Sequence, residues 1–282
     1  MGYLSRLPAE NAMNSMTVDF VTPDPSRVLG LSTSHWTGRV DWAKAKANGI
    51  QFAIIKACHG KNTNIAWFRE NYQGARDAGV LVGAYAWLTK PTFMTSAGGQ
   101  ARAFAALLRN YPTDLPPVVD FEKNGKTNRY DPKVNPTASD LWGWVKPFED
   151  TTGVKPMIYT SPGYWGEYGS ISQTWADYPL WQAEYNPQTV KIKPWGKWDI
   201  WQFSEQGRGE DYGVPRDGEI ACELNYWRGS LDELYAFCGK VPPAPPEPMH
   251  VTVEIGADNL YAYPEAKSVI IVTKAGETVR LP

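Results

Sequence analysis

The sequence predicts an α/β fold in which eight strands close into a barrel, followed by a small β appendage. The first observation is a series of eight short runs rich in β-branched and aromatic residues, namely RVLGLSTS, FAIIKAC, VLVGAYAWL, PPVVDFE, KPMIYTS, PLWQAEY, WDIWQFS and EIACELNYW. The second is that helical stretches separate the early runs, which favours parallel strands with helices outside. The third is the proline-rich segment VPPAPPEP, after which strand-like alternation resumes.

Helices are predicted between the first five strands, over VDWAKAKANG, NIAWFRENYQGARDAG, SAGGQARAFAALLRN and TASDLWGWVKPFEDTTG. Gly49 and Gly79 close the first two, because glycine just past a helical pattern is a common stop signal. After KPMIYTS the connections are rich in turn residues, so the second half of the barrel is expected to lack regular outer helices. The segment SLDELYAFCGK has helical periodicity and is predicted to close the domain near Lys240.

Four regions follow from this pattern: an aperiodic N-terminal arm over 1–26, the barrel over 27–240, a semi-rigid linker over 241–248 and a β module over 249–282. The β module is too short to bury much of a core by itself. We therefore expect it to pack on the barrel, to pair with another copy, or to belong to a larger assembly, as a wall-binding or docking element.

Composition excludes several classes of partner. The net charge is −2, from 28 basic and 30 acidic residues, which argues against nucleic acid as a partner. No stretch is long and apolar enough for a membrane span, and the N-terminus lacks the apolar segment of a secretory signal, so synthesis in a cytoplasm is expected. The cysteines (Cys58, Cys222, Cys238) and the three dispersed histidines show no metal-ligand spacing, so neither a metal nor a cofactor is expected.

Two carboxylates, Asp120 and Glu122, end the fourth run in PPVVDFEKNG. Alternate residues of a strand point to the same face, so both side chains are predicted to enter one space. Like charges held that close favour protonation of one carboxyl near neutral pH, which is the state that general acid catalysis needs. The alternative is that the chain leaves the strand here and the acids are solvated in a loop.

The strand ends carry carboxylates, amides and aromatic rings, as in a polysaccharide cleft at the carboxyl end of a barrel. They read STSHW, KACHG, AYAWL, DFEKN, YTSPG, AEYNP, QFSEQ and ELNYW. In this order the series resembles the glycoside hydrolase family 25 lysozymes, the N-acetylmuramidases common among phage endolysins and bacterial wall-lytic enzymes. The resemblance covers about residues 28 to 238 and implies an irregular (β/α)5(β)3 TIM-like barrel.

The resemblance assigns roles to individual positions. It implies that Glu122 is the general acid and that Asp120 supports the 2-acetamido group of the substrate as that group attacks the anomeric carbon, with Glu223 as a third catalytic carboxylate. A direct nucleophilic role for Asp120 is the competing account. The substrate-binding candidates are Ser32, His35, Tyr85, Tyr159, Trp181, Glu184, Trp201 and Asn225. For the aromatic rings the alternative is ordinary barrel packing, for Glu184 an exposed rim acid, and for His35 a structural histidine.

The sequence departs from the family pattern at several positions. Ser32 stands where the family usually has Asp, and in the family's Asp-x-Asn of the last strand Glu223 takes the place of the Asp while Asn225 keeps the Asn. The usual Thr-Glu-Gly after the second strand is Cys-His-Gly here, at 58–60, and Ala86 replaces a common His. If the missing acid limits turnover, Ser32→Asp raises it; if not, the site has reorganised around serine.

The sequence therefore predicts a peptidoglycan hydrolase that cleaves the β-1,4 bond between N-acetylmuramic acid and N-acetylglucosamine. One alternative is a glycan-binding protein that kept the groove and lost turnover. The other is a hydrolase of chitin oligomers or of a modified wall glycan. A wall-lytic enzyme without a secretory signal fits a phage endolysin or a virion-associated lysin that reaches the bacterial wall after release, and in either case the terminal β module is a candidate for self-association or virion docking.

Overall fold

The computed structural model describes residues 19–124, 131–185, 191–215 and 221–243, and the backbone of two strands at 269–272 and 278–281. The chain divides into two compact units, Met1–Lys240 and Val241–Pro282. Within the described residues, none of the helices combines the length and the apolar character that a membrane span requires.

The first unit is built on a closed barrel of eight strands in chain order, which confirms the predicted α/β barrel. The strands are β1 (Leu29–Thr33), β2 (Ile50–His59), β3 (Leu81–Trp87), β4 (Val118–Asp120), β5 (Met157–Thr160), β6 (Leu180–Ala183), β7 (Ile200–Arg208) and β8 (Ala221–Trp227). Neighbours from β1 to β7 are parallel, whereas β8 is antiparallel to both β7 and β1. The prediction that every strand presents its carboxyl end to the site is therefore wrong for β8, which contributes its first residues instead.

In the part of the barrel unit that the structure describes there are six α-helices: α1 (Trp42–Ala47), α2 (Phe68–Asp77), α3 (Ala97–Leu108), α4 (Ala138–Thr152), α5 (Pro162–Tyr168) and α6 (Leu231–Phe237). The four early helices and the closing helix were predicted. Gly49 and Gly79 follow α1 and α2 with φ angles of 94° and 68°, the left-handed conformation that glycine adopts without steric cost. The short α5 was not expected; it begins at Pro162, where the Ser161 side chain accepts a hydrogen bond from the Tyr164 N–H.

The core forms two layers, one outside the barrel under the helices and one inside it. The interior layer contains Phe52 and Leu81 from the beginnings of β2 and β3, and Leu234 and Tyr235 from α6 join it. Apolar packing therefore fills the end of the barrel where the parallel strands begin. Polar side chains are left at the opposite end, where those strands finish.

The described part of the predicted N-terminal arm lies along the barrel. The Val21 N–H donates to the Gln206 carbonyl at 2.8 Å, and the Asp24 N–H donates to the Tyr226 hydroxyl at 2.6 Å. In the second unit, β9 (Val269–Val272) and β10 (Thr278–Leu281) form an antiparallel pair. The turns predicted at 257–259 and 274–277 lie outside the described residues, and the predicted domain boundaries stay predictions.

Candidate active site

A cavity of about 160 Å³ opens at the polar end of the barrel. Side chains from β2 to β8 and from the segment after β1 line it: Ser34, Trp36, Lys56, Tyr85, Trp87, Asp120, Glu122, Tyr159, Trp181, Gln202 and Glu223. A larger cavity of about 520 Å³ lies between α3, α4 and the segment before β4. The acidic residue that lines the larger cavity, Asp114, forms an ion pair with Lys240 at 2.6 Å. In the smaller cavity three carboxyl groups face one another, those of Asp120, Glu122 and Glu223.

Asp120 and Glu122 enter the same cavity because the chain keeps its alternation past the end of β4. Asp120 points inward, and the next residue, Phe121, points outward into the layer under the helices, where its ring meets Tyr164 at 4.9 Å. The Phe121 N–H donates to the Tyr159 carbonyl at 2.9 Å, which holds the chain in register. Glu122 then points inward again, as the sequence predicted.

The Asp120–Glu122 pair holds a proton up to an unusually high pH. Burial, followed by the charge of Glu223, raises the pKa of Glu122 from its ordinary value of 4.5 to about 7. Burial, followed by the charge of Glu122, raises the pKa of Asp120 as well, and the two side chains are hydrogen-bonded to each other. The pair therefore has a proton to donate near neutral pH.

Asp120 also has an unused acceptor. Among the described residues none donates a hydrogen bond to its Oδ1 atom, although that atom is buried and the residue is only 4% exposed. Buried acceptors are usually satisfied, because an unsatisfied one costs about 1–3 kcal/mol. Asp120 itself lines the cavity, so the acceptor capacity of this oxygen stays unused beside the space that a substrate would enter.

Lys56 is a site residue that sequence reasoning missed. Its side chain is buried on β2, with Nζ 4.4 Å from the Trp87 ring centroid and 5.7 Å from that of Tyr85. Its positive charge lowers the pKa of both Asp120 and Glu122 and so opposes the effect of burial. The only signal in the sequence is a lysine inside the otherwise apolar run FAIIKAC.

Lys56→Met is expected to move the alkaline limb of the pH–activity profile to higher pH. If Glu122 is the proton donor that the sequence predicts, it donates only while protonated, so wild-type activity should fall as the pH rises through about 7. Removal of the lysine charge raises the pKa of Glu122 further, so protonated acid persists at higher pH. Initial rates from pH 4 to 10 test this, with the exposed Lys44→Met on α1 as the control. An alkaline limb that stays in place, or moves to lower pH, contradicts the role given to Lys56.

A hydrogen-bonded group occupies the side of the cavity formed by β1, β7 and β8. Ser32 Oγ lies 2.8 Å from Glu223 Oε2, and Gln202 Nε2 lies 3.0 Å from the same oxygen. Asn225 Nδ2 donates to Ser32 Oγ at 3.1 Å. Gln202, which is 1% exposed, was not among the candidates, although it stands in the run WDIWQFS.

The structure brings three of the aromatic candidates together at the cavity. Tyr85, Tyr159 and Trp181 all line it, and the Trp181 ring centroid is 4.5 Å from that of Tyr159 and 6.2 Å from that of Tyr85. Trp36 and Trp87 line it as well and were not predicted. Trp36 is 67% exposed, so its ring is open to a ligand at the rim.

Five of the candidates do not line the cavity; two of them, Ser32 and Asn225, belong to the hydrogen-bonded group around Glu223. Trp201 lies on the outer face of β7 and packs on Phe203 and Tyr226, because successive residues of a strand point to opposite faces and Gln202 takes the inner position. Glu184 accepts the Trp201 indole N–H through its backbone carbonyl at 2.7 Å. His35 is exposed, with its ring 4.4 Å from that of Trp36.

A protein-family model matches most of the barrel. The sequence model of Glycosyl hydrolases family 25 matches residues 32–212, well over half of the chain. The chain belongs to glycoside hydrolase family 25. The resemblance predicted from the sequence is therefore confirmed, and this protein is a glycoside hydrolase.

Relatives of the family 25 chain occur in bacteria and fungi. It is 31% identical over 228 residues to the uncharacterized protein YegX of Escherichia coli K12, covering 79% of this chain and 78% of that protein. It is 31% identical over 223 residues to Lysozyme M1 of Streptomyces globisporus, covering 76% and 72%. The solved bacterial lysozyme from Streptomyces coelicolor superposes with a TM-score of 0.63 at 28% identity, covering 76% of this chain and 98% of that one.

Proposed function

We propose that this enzyme hydrolyses the β-1,4 bond between N-acetylmuramic acid and N-acetylglucosamine in peptidoglycan. Beside the family, the proposal is supported by relatives named for this activity, such as the N,O-diacetylmuramidase of Chalaropsis, 29% identical over 225 residues, which cover 73% of this chain and 97% of that protein. The observation that carries it is a protonatable Glu122 beside an Asp120 oxygen without a partner among the described residues, in one cavity.

In the first step Glu122 donates its proton to the glycosidic oxygen as the bond from that oxygen to the anomeric carbon breaks. The substrate's acetamido oxygen attacks the same carbon, which gives a cyclic oxazolinium intermediate. Asp120 Oδ1, the unused acceptor, takes the acetamido N–H and offsets the positive charge that develops there. The role of Glu223 is to add a second negative charge next to the reacting ring.

In the second step a water attacks the anomeric carbon, and the ionised Glu122 takes the proton of that water. The oxazolinium ring opens and releases the sugar with its original configuration, because the anomeric carbon has been inverted twice. This substrate-assisted route differs from the two-carboxylate scheme, in which Asp120 would itself bond to the sugar.

The place of action that fits this activity is the bacterial cell wall. The relatives named above are bacterial and fungal, so an origin as a phage endolysin or virion-associated lysin stays a prediction of the sequence. Docking or self-association through the C-terminal β module likewise stays a prediction.

The test is the release of soluble reducing ends from purified peptidoglycan and, in parallel, from chitin. Release from peptidoglycan is expected, with little or none from chitin. Release from chitin alone would replace the proposal with a hydrolase of N-acetylglucosamine polymers. Saturable binding to peptidoglycan with no release would indicate a glycan-binding protein on this fold.

A further inference from the structure

Position 32 faces position 223 across two neighbouring strands. Ser32 on β1 is the register partner of Glu223 on antiparallel β8, and their side chains are joined by the 2.8 Å contact between Oγ and Oε2. Ser32 is only 2% exposed. Any side chain placed at position 32 therefore meets the Glu223 carboxylate inside the barrel.

The direction of the serine hydrogen bond follows from its neighbours. Trp181 Nε1 can only donate, and it lies 2.8 Å from Asn225 Oδ1, which fixes the orientation of the Asn225 amide. Asn225 Nδ2 therefore faces Ser32 Oγ and donates to it at 3.1 Å. Since the serine oxygen accepts this bond, its single hydrogen is available to Glu223, whose carboxylate can only accept.

Gln202 holds the same carboxylate from β7. Its Oε1 accepts from the hydroxyls of Tyr159 and Tyr185, both at 3.0 Å, so its Nε2 faces Glu223 at 3.0 Å. The reversed amide would set an oxygen against the carboxylate. Glu223 Oε2 thus accepts hydrogen bonds from two neutral donors, Ser32 Oγ and Gln202 Nε2. Hydrogen bonds donated to a carboxylate stabilise its ionised form.

We propose that Ser32 and Gln202 are positioning residues that keep Glu223 ionised as the single carboxylate of the facing pair of residues 32 and 223. A second carboxylate, placed at position 32, therefore impairs the enzyme. This proposal rests on the proposed function. The two residues act through Glu223, whose charge in turn favours the protonated state of Glu122. The titratable groups that interact electrostatically with Glu223 are Lys56, Asp120, Glu122, Tyr159 and Tyr185.

The decisive variant is Ser32→Asp, which leaves Gln202 and Asn225 in place but sets two carboxyl groups within hydrogen-bonding distance. They must share a proton, so Glu223 is no longer cleanly ionised and its hydrogen bonds rearrange. We expect kcat/KM on purified peptidoglycan to fall by about tenfold or more. The acid limb of its pH profile should also move to higher pH. Ser32→Ala, which removes one donor and adds no charge, should move this limb in the same direction by less.

A double variant that exchanges the two side chains separates the effect of the added charge from the effect of the altered side-chain size. Ser32→Asp combined with Glu223→Ser returns the pair to a single carboxylate, now on β1, with the Gln202 and Asn225 amides still beside it. It is expected to recover part of the activity that Ser32→Asp loses. Ser139→Asp, which adds a carboxylate at an exposed position of α4, is the control for added charge and should match wild type.

A readout that needs no activity completes the test. The second buried carboxylate should make Tm of Ser32→Asp fall, relative to wild type, as the pH rises from 5 to 8, whereas Ser139→Asp should follow wild type. A wild type without activity would overturn the proposed function but would leave this measurement interpretable. Wild-type or higher kcat/KM in Ser32→Asp, or a Tm difference that does not grow with pH, would overturn the positioning role.

Discussion

Glu122→Gln is expected to slow hydrolysis by orders of magnitude and, at the same time, to raise thermal stability at neutral pH. The amide fills the same space but has no acidic proton to give to the leaving oxygen, so turnover should fall by about 10²- to 10⁴-fold. Glu167→Gln, at an exposed position of α5, makes the same chemical change outside the cavity and should leave activity at the wild-type level.

The gain in stability follows from the raised pKa of Glu122. Because this pKa moves from 4.5 to about 7 on folding, the folded chain binds more protons than the unfolded chain between these pH values. This carboxyl therefore makes the free energy of unfolding fall as the pH rises through that window. The glutamine variant loses the effect, so its Tm should exceed that of wild type by several degrees at pH 8 and should match it near pH 4.

Thermal melts from pH 4 to 8, with rates on purified peptidoglycan, measure both effects. Substantial turnover in Glu122→Gln would remove this residue from the proton transfer. A lower Tm at pH 8 in the variant would mean that the glutamate is held in the cavity by favourable contacts of its charge.

Asp120→Asn is expected to have the second largest effect, a loss of about 10²-fold or more in kcat. In the proposed mechanism Asp120 accepts the substrate's acetamido N–H, and the asparagine side chain has no charge with which to offset the developing oxazolinium. KM should change much less than kcat, because the charge appears only as the transition state forms. Asp150→Asn, in an exposed ion pair on α4, is the matched control.

Azide distinguishes the two accounts of Asp120. If Asp120 were the nucleophile, azide should restore bond cleavage in Asp120→Ala and yield a glycosyl azide of inverted configuration. In the substrate-assisted route the acetamido oxygen already serves as nucleophile, so azide should restore nothing. Recovery of a glycosyl azide from this variant would assign the covalent role to Asp120.

The sequence predicted the barrel well because its signals are local. Short β-rich runs, helical periodicity and stop glycines such as Gly49 and Gly79 each depend on a few neighbouring residues. The direction of β8 could not be predicted in the same way. Only residues 209–220 connect β7 to β8, a length that allows either a hairpin or a short crossover, so chain length does not decide between them.

The site was predicted only in part, for two physical reasons. Strands of a barrel are buried on both faces, so the alternation of Trp201 and Gln202 does not reveal which of them points inward. Lys56 belongs to the site only because carboxyl groups more than 60 residues away in the sequence, Asp120 and Glu122, come to face it. Such pairings depend on the closed barrel and leave no local pattern.

The most direct test of the central claim is the identity of the sugar at each new reducing end. Purified peptidoglycan digested with the wild-type enzyme would be reduced with borohydride, hydrolysed and analysed by mass spectrometry, with a Glu122→Gln digest as the control. Cleavage of the proposed bond predicts muramicitol, which forms from N-acetylmuramic acid ends by reduction and by loss of the acetyl group in the hydrolysis, in the wild-type digest with at most a trace from Glu122→Gln. Glucosaminitol in its place, or an equal yield of muramicitol from Glu122→Gln, would contradict a muramidase that uses Glu122 as its acid.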